Sequence, residues 1–186
     1  EGDDAVSGSE DRLYDHPEIG ARYFFPMPGT PLPTTDDGAP LALALPDGTP
    51  IGGYWHRPLT DAPTILYTHG NGECIADQLD HWPAWAEHAG ANIFFVDYPG
   101  YATSGGTPSI SRCAAAGVAA LDFLLARPES EVPSVAVVGR SVGSIFALHT
   151  TWPTDSPRVR GLVLARGVAD LKKRLALRIP HDAPGR

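Results

Sequence analysis

A serine stands in a short glycine-flanked segment whose spacing is typical of a catalytic nucleophile. The segment Gly-Arg-Ser-Val-Gly at residues 139–143 follows an apolar run and precedes a helical pattern. A serine at such a strand-to-helix turn adopts a strained backbone, and small residues two positions before and after it prevent clashes. The turn lifts the hydroxyl above the sheet, at the positive end of the following helix. The pattern therefore predicts Ser141 as a nucleophile. A plain glycine-rich turn is the alternative, and a nucleotide-binding loop fits poorly because GxGxxG is absent.

A second segment offers the hydrogen-bond donors that acyl transfer requires. His-Gly-Asn-Gly-Glu at residues 69–73 directly follows the apolar run 64–68. Acyl transfer needs at least two preorganised donors where negative charge develops on the carbonyl oxygen. The backbone N–H groups of Asn71 and Val142 are the candidates. His69 is a candidate base, but a histidine at a strand end before glycine is more often a structural hydrogen-bonding residue, and we expect that role here.

Parallel strands must position these segments. Four short apolar runs lack alternation, as expected for strands buried on both faces; they lie at 64–68, 92–97, 134–139 and 161–165. Helical patterns separate them, at 75–89 (with Pro83 dividing or kinking it), 109–127 (with a serine cap) and 142–152. Strands alternating with helices predict a parallel sheet with right-handed crossovers and helices on both faces.

An antiparallel hairpin is predicted before the parallel strands. The runs 41–45 and 51–56 flank Pro-Asp-Gly, a turn signal. Residues 1–40 are acidic and proline-rich and are expected to form an N-terminal arm. The expected organisation is thus an arm at 1–40 and one α/β core at 41–186.

A third motif carries a family resemblance. Asp-Tyr-Pro-Gly-Tyr-Ala-Thr-Ser-Gly-Gly at 97–106 follows the run 92–96. With the His-Gly-Asn and Gly-x-Ser-x-Gly segments in the same order, each at the carboxyl end of a strand, the chain resembles an α/β-hydrolase. The resemblance covers residues 41–179, or the first six of the family's eight strands. One minor departure is Ala102, where many relatives have glycine.

The resemblance implies roles for individual residues. It makes Ser141 the nucleophile, Asn71 and Val142 the oxyanion donors, and Asp97 a structural residue. No metal and no other cofactor is implied. The implied activity is hydrolysis of an ester, thioester or amide through an acyl-Ser141 intermediate. Acyl pocket and lid residues come largely from later in such chains, so the substrate is left open.

The acid and histidine of the family's triad have no clear counterpart. In the family they follow the seventh and eighth strands, whereas this sequence ends at Arg186, just beyond the sixth. His149 lies eight positions along the helix from Ser141, about 12 Å along the axis, and is out of reach. Asp170 is better explained as a helix cap, and His181 is a weak internal candidate. We therefore expect a C-terminal part or a second polypeptide to supply them.

Three explanations for the short chain lead to different functions. The remainder of the hydrolase is a separate polypeptide, or a short variant completes its site by oligomerisation, or the chain is a non-catalytic module that binds a ligand or partner. In each case 161–165 is expected to be an apolar edge strand, because relatives have two more strands beside it. Such an edge pairs readily with another polypeptide.

Composition excludes several other classes. A net charge of −8 argues against a nucleic-acid-binding protein, and no apolar run approaches the 18 residues of a membrane span. Residues 169–179 form a basic amphipathic pattern, which we interpret as the start of a lid rather than a membrane-surface helix. The chain begins at Glu1, which leaves open a cytoplasmic protein or one tethered or exported through a removed segment.

Metal and disulfide chemistry is not expected. Asp77, His81 and His88 share one predicted helical face, but such a set is more often a solvated face than a metal site. Cys74 and Cys113 lack metal-ligand spacing. The family arrangement places their helices on opposite faces of the sheet, so no bond between them is predicted.

Overall fold

The computed structural model describes residues 15–168, which form a six-stranded sheet with five helices. In chain order these are α1 (Pro17–Tyr23), β1 (Gly38–Ala44), β2 (Pro50–His56), β3 (Thr64–Thr68), α2 (Ile75–Gln78), α3 (Trp82–His88), β4 (Asn92–Val96), α4 (Ile110–Leu125), β5 (Val135–Arg140), α5 (Gly143–Thr151) and β6 (Val159–Ala165). The strand order across the sheet is β1-β2-β4-β3-β5-β6.

The sheet is mostly parallel, as predicted. Strand β3 pairs in parallel with β4 and with β5, and β5 pairs in parallel with β6. Within residues 15–168, only the β1–β2 hairpin and the β2–β4 pair are antiparallel. All five residues of β3 and of β4 are buried, which explains why their sequences are apolar without alternation.

Helices cover both faces of the sheet. Alternate strand residues point to opposite faces, and they divide between two separate clusters of buried side chains. One cluster contains Leu66 and Val137 with side chains of α4 and α5. The other contains Ile65 and Phe95 with Ile75 of α2 and Ala86 of α3. The predicted placement of helices on both faces is confirmed.

Local signals in the sequence correctly located the turns and caps. The hairpin turns at Gly48, whose φ of +81° suits glycine. The helical pattern at 75–89 is divided into α2 and α3, the second beginning one residue before Pro83. The side chain of Ser109 caps α4 by accepting a hydrogen bond from the backbone N–H of Arg112, at 3.3 Å.

One helix was not anticipated. Helix α1 begins at a proline after His16, whose side chain caps it, and lies within the expected N-terminal arm. Ile19, Tyr23 and Phe24 are buried and belong to the same core cluster as α4 and α5. We call residues 17–29, which comprise α1 and the extended segment after it, the N-terminal strap. The strap contributes side chains to the core.

Two further expectations concern the cysteines and membrane spans. Cys74 and Cys113 are free and buried, which confirms that they do not bond to each other. Within residues 15–168, no helix has the length and apolar character needed to cross a bilayer.

Strand β6 forms an edge of the described sheet, and several of its apolar side chains are exposed. Leu162, Val163 and Leu164 are 37%, 53% and 47% exposed. Successive residues of a strand face opposite sides, so apolar surface is exposed on both faces of this edge. The predicted position of this strand is confirmed.

Candidate active site

Ser141 occupies a strained turn between β5 and α5. Its φ is +54°, in the left-handed region that non-glycine residues seldom adopt. The backbone N–H of Ser141 donates to the carbonyl oxygen of Ala165 at 2.9 Å, and its carbonyl accepts from the N–H of Ser144 at 3.0 Å. These bonds fix the backbone of the turn. The Ser141 side chain makes no hydrogen bond to any residue between 15 and 168.

The flanking glycines are required by close packing. We call residues 139–143 the elbow. A Cβ at Gly139 would lie 2.7 Å from the Cβ of Ala147, one helical turn into α5. A Cβ at Gly143 would lie 2.5 Å from the carbonyl oxygen of His69, and closer still to that of Thr68. Real Cβ atoms do not approach other atoms so closely, so both positions need glycine.

Residues 69–73, called here the β3 loop, lie beside the elbow. Strands β3 and β5 are neighbours in register, with Thr68 opposite Gly139. Asn71 and Val142 each follow these paired residues by three positions, at the same edge of the sheet. The backbone N–H groups of Asn71 and Val142 have no acceptor among residues 15–168. Both N–H groups are therefore unpaired within the described residues.

Charged and polar contacts join the β3 loop to the elbow. Glu73 forms an ion pair with Arg140. The other carboxylate oxygen of Glu73 accepts from the N–H of Gly70 at 3.1 Å. The hydroxyl of Thr68 donates to the carbonyl of Gly143 at 2.9 Å. The loop and the elbow are thereby attached to each other.

His69 is placed as a structural residue. Its ring is buried and packs 4.1 Å from the ring of Tyr98. Nδ1 lies 2.8 Å from the carbonyl oxygen of Gly70, and because a carbonyl only accepts, Nδ1 carries the proton. Nε2 lies 3.3 Å from Oδ1 of Asp97 without hydrogen-bond geometry. Neither nitrogen bonds to Ser141, as expected for a non-catalytic histidine.

Asp97 is also buried within the fold. Its Oδ1 accepts a hydrogen bond from the backbone N–H of Ile75 at 3.0 Å, which ties the end of β4 to the start of α2. The next residue, Tyr98, donates its hydroxyl to the carbonyl of His69 at 2.7 Å. Burial raises the pKa of the Tyr98 phenol well above its ordinary value, so this hydroxyl remains a donor. These contacts are those of a structural residue.

The two cysteines do not compete with Ser141 as nucleophiles. Burial raises the pKa of the Cys74 thiol, and that of the Cys113 thiol well above its ordinary value. A thiol attacks as its thiolate, which these environments disfavour at neutral pH. Ser141 is the better candidate nucleophile of the described residues.

No base for Ser141 is found in the described part of the chain. His149 is exposed on α5 and, like His69, makes no contact with the serine hydroxyl. Asp170 and His181 lie outside the described residues. A catalytic histidine and acid would therefore have to come from outside residues 15–168.

The alternative metal site is not formed. Asp77 belongs to α2, whereas His81 precedes α3 and His88 ends it, so the three do not share one helix. The Asp77 carboxylate instead accepts from the backbone N–H of Cys74 at 2.9 Å. Between residues 15 and 168, no group of three His, Cys, Asp or Glu side chains is placed to hold a metal.

The contacts made by the side chain of Asn71 were not predicted from the sequence. Its Oδ1 accepts from the backbone N–H of Phe25 at 2.9 Å and from the hydroxyl of Tyr101 at 2.8 Å. Its Nδ2 donates to the carbonyl oxygen of Tyr23 at 2.5 Å. Tyr23 and Phe25 lie 48 and 46 positions away in the sequence, and no local pattern announces such a contact.

Comparison with known proteins agrees with this architecture. No family model matches the chain. The α/β-hydrolase domain-containing protein WAV2 of Arabidopsis thaliana is 29% identical over 124 residues, covering 66% of this chain and 40% of that protein. The chain spans about two fifths of the length of the curated relatives it matches.

Solved structures show the same fold. An α/β-hydrolase from Vibrio vulnificus aligns with a TM-score of 0.65 at 18% identity, covering 79% of this chain and 51% of that one. An esterase from Pyrococcus furiosus aligns with a TM-score of 0.64 at 15% identity, covering 84% and 63% respectively. The six-stranded, mostly parallel sheet with its helices is thus an α/β-hydrolase fold.

Proposed function

From this α/β-hydrolase fold, we propose that the chain carries the nucleophile and oxyanion hole of a serine hydrolase. Its substrates are esters, thioesters or amides, and the reaction passes through an acyl-Ser141 intermediate. Asn71 and Val142 donate their backbone N–H groups to the oxyanion. The esterases among the structural neighbours favour an ester substrate.

One observation carries this proposal. Ser141 has a strained φ of +54° and stands beside two backbone N–H groups that have no acceptor in residues 15–168. Backbone strain concentrates at functional sites, and a preorganised pair of donors stabilises the oxyanion of acyl transfer. A positive φ also occurs in ordinary turns of this chain, at Asp61 and Arg166, so the combination of the two features supports the proposal.

The reaction proceeds in two balanced steps. Oγ of Ser141 bonds to the substrate carbonyl carbon while a histidine takes its proton, and the π electron pair moves to the carbonyl oxygen. That oxygen lies between the N–H groups of Asn71 and Val142. When the tetrahedral species collapses, the bond to the leaving group breaks and histidine returns the proton to it. Water then attacks the carbonyl carbon of the acyl-enzyme in the same way. This step releases the carboxylic acid product and regenerates the hydroxyl of Ser141.

The histidine and its acid are proposed to come from outside residues 15–168. Without a base, a serine hydroxyl keeps its proton and is a poor nucleophile. A C-terminal part or a second polypeptide that pairs with β6 would bring them. The exposed apolar residues 162–164 at the sheet edge support this proposal, because an unpaired edge strand readily accepts another strand.

A fluorophosphonate probe tests the proposal. In the assembled protein, Ser141 is expected to be labelled, and Ser141→Ala is expected to abolish labelling and to lower kcat on a p-nitrophenyl ester by at least about 10³-fold. Ser130→Ala is the matched control, because Ser130 is exposed in the segment that leads into β5, at the opposite end of that strand. The Ser130→Ala variant should be labelled by the probe and should hydrolyse the ester at the wild-type rate.

A non-catalytic module that binds a ligand or partner is the alternative function. The lack of a base within residues 15–168 favours it. Full esterase activity in Ser141→Ala would contradict the acyl-serine mechanism. A folded, assembled wild type that neither labels nor hydrolyses would favour the binding module.

A further inference from the structure

The N-terminal strap reaches the proposed oxyanion hole through one side chain. The carboxamide of Asn71 is held by three hydrogen bonds, two of them to the backbone of Tyr23 and Phe25. The third comes from the hydroxyl of Tyr101, in the loop after β4. A carboxamide suits this position because its oxygen accepts two bonds while its nitrogen donates to a carbonyl, which a carboxylate cannot do.

Further contacts hold the strap segment that binds Asn71 in place. Tyr23 and Phe24 are buried, and the ring of Phe24 stacks 6.4 Å from that of Phe146 on α5, the helix after Ser141. The backbone of Met27 accepts from the N–H of Ala102 at 2.9 Å. The strap is therefore fixed to α5 and to the loop after β4, and it presents a rigid surface to Asn71.

Tyr101 completes the attachment. Its ring is fully buried, and burial raises the pKa of its phenol, so the hydroxyl stays protonated and able to donate. The same hydroxyl oxygen accepts from the N–H of Phe25 at 3.2 Å. Strap, β3 loop and β4 loop meet at this one cluster of hydrogen bonds.

We infer that the side chain of Asn71 is a positioning residue of the oxyanion hole, with the strap and Tyr101 as its supports. This inference rests on the proposed function. The backbone N–H of Asn71 is the oxyanion donor, while its side chain fixes the loop on which that N–H sits. Donors act in catalysis only when they are aimed correctly before the charge develops. The strap thus supports the oxyanion hole without contacting the reacting atoms.

Hydrogen–deuterium exchange tests the attachment without relying on catalysis. In Asn71→Ala, the amide of Gly70, which is hydrogen-bonded to Glu73, should exchange about tenfold faster or more, because the loop opens more often. The amides of the elbow should keep wild-type exchange. Unchanged exchange in the β3 loop would overturn the inference.

Kinetics in the assembled protein tests the positioning role. Asn71→Ala should lower kcat about 100-fold with KM within about twofold of wild type, comparable to the loss of one oxyanion donor. Tyr101→Phe removes one hydroxyl and should lower kcat by about tenfold. If Asn71→Ala does not fold, Tyr101→Phe is the variant that tests the inference. A wild-type kcat in the variant that folds would overturn the inference.

A matched variant separates positioning from stability. Val132 is fully buried but precedes β5, at the opposite end of the sheet. Val132→Ala should lower the melting temperature while leaving kcat per folded molecule unchanged. If Val132→Ala lowers kcat as much as Asn71→Ala does, the loss of kcat in Asn71→Ala would be due to lower stability and not to positioning. An inactive wild type, in contrast, would overturn the proposed function and the catalytic part of this inference together.

Discussion

The elbow and the β3 loop lie side by side at one edge of the sheet, but different kinds of interaction hold them. The elbow is fixed by backbone geometry, with a strained Ser141 between two glycines that admit no Cβ. The β3 loop is fixed by side chains, since Asn71 bonds to the strap and Glu73 pairs with Arg140. The elbow is constrained by the backbone of five consecutive residues and its close fit against neighbouring backbone, whereas the loop depends on side-chain bonds to residues throughout the chain.

This difference predicts how each region responds to substitution. A region held by steric fit fails abruptly, because an added atom has no place to go. A region held by several hydrogen bonds and an ion pair loses its geometry in steps, because each bond contributes only about 1 kcal/mol. Two substitutions test this contrast and a third tests the segment that precedes the strap, in order of decreasing effect.

The largest effect is expected at Gly143. In Gly143→Ala, the new Cβ would press on the carbonyl oxygens of Thr68 and His69, so β3 and α5 must move apart. We expect a loss of about 2–4 kcal/mol in the free energy of unfolding and the loss of most fluorophosphonate labelling. Urea denaturation measures the change in the free energy of unfolding. Gly161→Ala is the control, because its nearest neighbour would lie 3.8 Å away; equal losses in both variants would refute the steric argument.

A smaller effect is expected at Glu73. Glu73→Gln keeps an acceptor for the N–H of Gly70 but removes the ion pair with Arg140. Because both side chains are partly exposed, we expect stability to fall by about 1 kcal/mol or less. The value of kcat should fall several-fold, since the loop is less well fixed against the elbow. Glu131→Gln removes a comparable pair with Arg57 far from the site and should leave kcat unchanged. A wild-type kcat in Glu73→Gln would show that the pair does not position the loop.

The smallest effect concerns the pH dependence of the contact between Asp15, which precedes the strap, and Ser111 in the first turn of α4. Burial raises the pKa of Asp15, but hydrogen bonds from Ser111 and Ser109 outweigh it, so the pKa lies below 3.8. Protonation therefore weakens the folded state: the contribution is present above pH 3.8 and is lost as the pH falls below it. We expect the difference in melting temperature between wild type and Asp15→Asn to shrink between pH 6 and pH 3. An unchanged difference would show that the ionised Asp15 does not stabilise the folded state through its bonds to Ser111.

Most of the sheet and the elbow were predictable because their signals are local. Apolar runs, the divided helix at Pro83 and the cap at Ser109 each reflect forces that act within a few residues. The strap helix was missed because a seven-residue helix carries little periodic signal, and its stability comes from burial against α4 and α5.

The sequence by itself determined the strand order along the chain, the strained position of Ser141 and the two glycines around it. The turn at Ser141 and the glycine at 139 follow from steric rules that act between near neighbours, whereas the glycine at 143 is required by close packing against the carbonyl oxygens of Thr68 and His69. Only the tertiary structure decided how the β3 loop is held, because the partners of Asn71 lie 30, 46 and 48 positions away. Hydrogen bonds across such separations exist only after folding has brought the strap, β3 and β4 together, and no short stretch of sequence encodes them.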